Sequence, residues 1–173
     1  MSFIIAAVVS VLFLVADQIT KYIVTVNMTL GESRPFLKGL IDFVYIYNEG
    51  GAWGFLSGYQ WILLTVTSII IIVFITVLVK FGMSDKVLFW SICLVLSGGL
   101  GNMIDRIFRG GKVVDFLHFE FMPEFPVFNV ADCAVVIGTG LLILYFVLET
   151  IKESKEKKIA LIKTEQKSED IND

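Results

Sequence analysis

The stretch WILLTVTSIIIIVFITVLV, residues Trp61 to Val79, contains no charged residue. Such a run crosses a bilayer core as a helix, which takes about 20 apolar residues. Working outward, Val87 to Ile104 reads as a second run, and Val130 to Leu148 as a third, broken only by Asp132. Phe3 to Met28 is a fourth, with Asp17 and Lys21 in its second half. The 173 residues are 56% hydrophobic, more than a soluble domain carries without long buried runs. The expected fold is an all-α membrane protein: a bundle of four transmembrane helices. Residues 1–150 read as a single integral-membrane unit and 151–173 as a charged tail.

The first run has no Lys or Arg ahead of it and no small-residue cleavage site behind it, so it reads as a retained helix rather than a signal peptide. Between the first and second helices, from about Asn27 to Gln60, LIDFVYIYN is rich in β-branched and aromatic residues and is followed by Glu49-Gly50-Gly51. This predicts a small β-structure on the outer surface. Trp53, Phe55, Tyr59 and Trp61 suit a membrane interface. Arg109 to Phe125 reads as a loop holding VVDF, closed by Pro123 and Pro126 before the fourth helix.

A net charge of −3 argues against nucleic-acid binding. From Glu149 onward Lys and Glu alternate, reading as a solvated helix that frays into disorder. Lys152, Lys155, Lys157 and Lys158 lie close to the membrane, and Lys80 and Lys86 flank the loop between the second and third spans. Both groups favour the cytoplasmic side, against Arg34, Lys38, Arg109 and Lys112 in the outer loops. Both termini are therefore expected in the cytoplasm. Cys93 and Cys133 lie in apolar spans without metal-ligand spacing and read as small core residues. His118, the single histidine, has no zinc-motif companion.

Three aspartates stand near expected membrane boundaries: Asp105, Asp115 and Asp132. Ionisable groups there cost several kcal/mol, roughly 2.5–3.5 each, which makes them candidate functional groups. In GGLGNMIDR, Gly98, Asn102 and Asp105 share one helix face, and Asp105 with Arg106 reads as a satisfied cap that supports a site. In FNVAD, Asn129 and Asp132 are one turn apart at a helix start. Two readings stay open: an N-cap with a first-turn acid, or, with Asp115 of VVDF, a catalytic carboxylate pair. Asp17 and Lys21, spaced i and i+4, neutralise each other inside the bilayer and read as structural support.

DQITK, NEGGAWG, GGLGNMIDR, VVDF and FNVAD occur here in that order around four spans. In order and spacing they resemble the lipoprotein signal peptidases, or signal peptidase II. The resemblance runs from the first span to the start of the fourth. It implies an intramembrane aspartic endopeptidase with Asp115 and Asp132 as the catalytic residues. It also implies supporting or substrate-binding roles for Asp17, Lys21, Asn48, Asn102, Asp105, Arg106 and Asn129. The implied reaction removes the signal peptide from bacterial prolipoproteins before the diacylglyceryl-modified cysteine. The enzyme would be a monomer of the bacterial cell (inner) membrane, among membrane lipids, with no metal and no cofactor, and its active site near the outer face. One departure is Gly51, which stands where the family usually has Ala and is expected to loosen the outer loop. The chain has no HExxH and no GxSxG. A small proton- or ion-coupled transporter is the alternative for buried carboxylates, although neither repeated halves nor broken helices are apparent.

Overall fold

A computed structural model describes residues 2–51, 55–81 and 85–172. Its elements in order are α1 (Ser2–Asn27), β1 (Ser33–Leu37), β2 (Ile41–Asn48), α2 (Gln60–Phe81), α3 (Lys86–Phe108), β3 (Val113–Phe119) and α4 (Val130–Asn172). All four helices are long and apolar enough to cross a membrane. They leave large apolar side chains such as Val11, Ile23, Ile69, Ile72, Val136 and Phe146 exposed. In water this would be an aggregating surface; in lipid it is the solvated one.

α3 is the central helix, packed against α1, α2 and α4. Small residues let it approach closely. A Cβ added at Gly98 would stand 2.2 Å from the Ala131 carbonyl oxygen, and one at Gly101 would stand 2.7 Å from Asp17 Oδ2. Gly138 of α4 is pressed in the same way against the Ser91 carbonyl and Val95. Asp85 starts α3 by accepting from the amides of Val87 and Leu88 at 2.7 and 3.0 Å. Buried Ala6, Phe89 and Cys93 cluster at that end of the bundle.

The expected β-structure is a three-stranded antiparallel sheet in the order β1-β2-β3. Its third strand was not anticipated, since VVDF reads as a loop in the sequence. In the structure Val113–Phe119 is a strand, with Val113 opposite Asn48 and Asp115 opposite Ile46. Val114 and Phe116 join Val24 and Tyr45 in a buried cluster under the end of α1. Strand alternation turns Asp115 to the other face. Phe55, Tyr59 and Trp61 are exposed around the start of α2, as a membrane-interface position requires. Trp53, expected beside them, lies outside the described residues. α4 continues as helix through the charged segment to Asn172.

Candidate active site

Asp115 enters from β3. Asn48 of β2 is its diagonal neighbour across the pairing, within reach of a side chain. Asn48 Nδ2 donates to Asp115 Oδ2 at 2.8 Å. Its Oδ1 accepts from the Gly50 amide at 3.0 Å, which sets the orientation of the side-chain amide.

Asp132 enters from the first turn of α4. Asn129 Oδ1 accepts from the Asp132 amide at 3.0 Å, and Asp132 Oδ2 accepts from the Asn129 amide at 3.0 Å. This is a reciprocal capping box. The helix N-terminus also favours an anion there, by about 0.3–1 kcal/mol. The cap and the site are thus the same residues, and the two sequence readings of FNVAD are compatible. Asn129 Nδ2, left over from the cap, donates to Asp115 Oδ1 at 2.6 Å and to Asn102 Oδ1 at 3.0 Å. One asparagine therefore touches both carboxylates, Asp115 through its side chain and Asp132 through its backbone amide.

Behind them is a buried charge cluster. Lys21 Nζ lies 2.9 Å from Asp17 Oδ2, 3.2 Å from Asp105 Oδ2 and 2.9 Å from Asn102 Oδ1. The three ammonium protons meet three acceptors, and Lys21, Asp17 and Asp105 are at most 1% exposed. Because Asn102 Oδ1 is held by Lys21, its Nδ2 must point the other way, and it donates to Asp132 Oδ1 at 2.8 Å. Asp17 Oδ1 accepts from the Ala131 amide at 2.9 Å, so a residue of α1 helps to cap α4. Gln18 Nε2 bridges Asp17 Oδ2 and the Gly101 carbonyl at 3.0 and 3.1 Å. Asp105 Oδ2 also accepts from the Val114 amide at 3.0 Å, next to Asp115 in sequence.

One expected pairing is corrected. Asp105 does not form a cap with Arg106; its basic partners are Lys21 and, at 3.3 Å, Arg109. The helix geometry explains this, because Arg109 is one turn along from Asp105 whereas Arg106 is rotated by about 100°. Arg106 lines the site instead. Its Nε is buried with no hydrogen-bond partner among the described residues.

Asp115 and Asp132 line one cavity of about 300 Å³ with Asn48, Asn102 and Arg106. A second cavity of about 250 Å³ lies between α2, α3 and α4, walled by Ile70, Ile71 and Phe74 and sharing Asn102, Arg106 and Asp132 with the first. Burial, and then repulsion from Asp132, pushes the Asp115 carboxyl up to about 7, against the opposing hydrogen bonds from Asn48 and Asn129. Two buried carboxyl groups facing one cavity hold a single proton more easily than none. All nine residues singled out in the sequence meet in this one network or on its cavity. The link from Lys21 through Asn102 to Asp132, and the capping of α4 by Asp17, had no sequence signal because the partners lie on different helices.

Residues 9–148 match the family model described as signal peptidase (SPase) II. The chain belongs to the signal peptidase II family. It is 39% identical over 151 residues to a lipoprotein signal peptidase of Halalkalibacterium halodurans, covering 87% of this chain and 96% of that one. A lipoprotein signal peptidase of Bacillus pumilus is 37% identical over 150 residues, with 86% and 96% covered. A bacterial membrane enzyme solved by the in meso method at 2.3 Å resolution superposes with a TM-score of 0.79 at 33% identity, covering 84% of this chain and 88% of that one. Another, solved at 1.9 Å, gives 0.74 at 33% identity, with 82% and 91% covered. As a signal peptidase II, this chain is a membrane-embedded peptidase with several spans, and the transporter alternative is not favoured.

Proposed function

We propose that this signal peptidase II is an aspartic endopeptidase that cuts the signal peptide from bacterial prolipoproteins just before the diacylglyceryl-modified cysteine. The observation that carries the reading is the meeting of Asp115 and Asp132 on one cavity, tied through Asn129. The pair shares one proton. Its ionised carboxylate takes a proton from water, the water oxygen attacks the scissile carbonyl, and the protonated carboxyl gives its proton to the developing oxyanion. Collapse returns that proton towards the leaving amine. Base and acid belong to the pair as a unit. Asn48, Asn102 and Asn129 hold the pair in place, and the unpaired Nε of Arg106 offers a donor to a substrate carbonyl. The apolar cavity between α2, α3 and α4 accommodates acyl chains beside the cut. The chemistry calls for no metal or cofactor.

The proposed setting is the bacterial cell membrane, with residues 1–150 as the catalytic unit, working as a monomer among membrane lipids. Residues 151–173 and both termini lie in the cytoplasm, and the carboxylates lie near the outer face. The test is release of the signal peptide from a diacylated prolipoprotein by purified protein in detergent. Asp115→Asn and Asp132→Asn should each abolish it, a loss of at least about 10³-fold, while both variants stay folded. Near-normal turnover by either variant removes that residue from the mechanism.

A further inference from the structure

Beyond the peptidase reading, and independent of it, we propose that the helical extension of α4 is a binding site for anionic phospholipid headgroups, centred on Lys152, Lys155, Lys157 and Lys158. The family match ends at residue 148, ahead of these lysines. α4 is one helix of 43 residues. At about 1.5 Å per residue it reaches roughly 65 Å, about twice the ~30 Å hydrocarbon core. Entering near Val130, it leaves the core near Glu149. Lys152 then sits roughly 5 Å beyond that edge and Lys158 roughly 14 Å beyond it. This range is the headgroup layer and about one screening length past it.

The lysines are free to meet headgroups. All four are exposed. Lys152 pairs with Glu149, and that ion pair is loose at 3.6 Å. From Lys152 to Lys163 the sequence carries five lysines against Glu153 and Glu156, a net +3 on an otherwise acidic protein. Exposed Lys80 at the end of α2 and Lys86 at the start of α3 belong to the same end of the bundle. The packing of Gly138 against Ser91 and Val95 places that end opposite the carboxylates. The acid beside Lys86, Asp85, is occupied in capping α3. Basic residues next to a membrane-spanning helix attract anionic lipid.

The full chain would be reconstituted in phosphatidylcholine vesicles carrying trace spin-labelled phosphatidylglycerol or phosphatidylcholine, and the protein-associated lipid would be measured by electron spin resonance. Phosphatidylglycerol should associate roughly threefold more strongly, and the preference should vanish as salt rises from about 0.05 to about 0.5 M. Replacing the four lysines by Gln should bring the ratio close to that of phosphatidylcholine while cleavage in detergent is unchanged. No preference in the native chain, a preference indifferent to salt, or one retained by a folded four-Gln variant would each overturn the proposal. Crosslinking of a Ser154→Cys protein into dimers with no lipid preference would overturn it too, by giving the face to a second copy. The salt series needs no variant, and failure of the cleavage assay leaves the lipid measurement intact.

Discussion

Lys21 is the residue on which the site's polar order depends. Its three protons fix Asp17, Asp105 and Asn102, and Asn102 then presents its amide to Asp132. Removing Asp17 takes away one of the three acceptors of the Lys21 ammonium and leaves Asp105 as its carboxylate, a cost of about 1.5–3 kcal/mol for the lost charge-assisted bond. Asp17→Ala should therefore lower the thermal midpoint in detergent at least as much as it lowers turnover per folded molecule. It also orphans the Ala131 amide at the start of α4. A variant of ordinary stability with no turnover would instead place Asp17 in the chemistry. The Asp115 carboxyl, held up to about 7 by burial and by Asp132, gives a pH prediction. Turnover should fall along a basic limb near pH 7, as the pair loses its shared proton. The sign for stability is that of a raised carboxyl: the contribution is full below about pH 3.9 and is lost as pH rises through about 7. Asp115→Asn should flatten that fall in a pH series of thermal midpoints. The two aspartates were legible in the sequence because a charge at a membrane boundary needs a reason. The orientation of Asn102 was not, because Lys21, which sets it, lies 81 positions away.

At the scale of elements, the helices were legible from apolar runs alone, and the structure moves their ends by only a few residues outside the charged extension of α4. β3 was not legible. VVDFLHF is short, and it becomes a strand by pairing with β2, far off in sequence; the partner, more than local propensity, makes it one. Gly98 of GGLGN is a position of close helix approach, and Gly140 of α4 gives the paired test. Gly98→Ala puts a methyl carbon 2.2 Å from the Ala131 carbonyl, so α4 must move and carry Asp132 with it. Gly140 has nothing within 4 Å of its added Cβ. Gly140→Ala should therefore be neutral or stabilising by up to about 1 kcal/mol, the helix-propensity gain. Thermal melts in detergent should show Gly98→Ala clearly lower, with turnover reduced as well. Equal melting of the two variants would mean that α3 and α4 are not packed this closely.

The whole molecule has two chemically different ends. The sheet, the carboxylates and the Lys112–Glu49 ion pair, 2.7 Å long, stand at one end. Lys80, Lys86 and the lysines that follow Glu149 stand at the other. Basic residues near helix ends are retained in the cytoplasm, so the lysine end should face inward and the site outward. Water then reaches the pair from the outer surface, where the modified cysteine of an exported lipoprotein emerges. Single cysteines in a background of Cys93→Ala and Cys133→Ala test this. A cysteine replacing Lys112, whose side chain is 42% exposed, should react with an impermeant thiol reagent in intact cells. One replacing Lys155 should react only after lysis. The opposite labelling pattern would invert the molecule in the membrane, place the carboxylates on the cytoplasmic side, and remove the proposed role in processing exported lipoproteins.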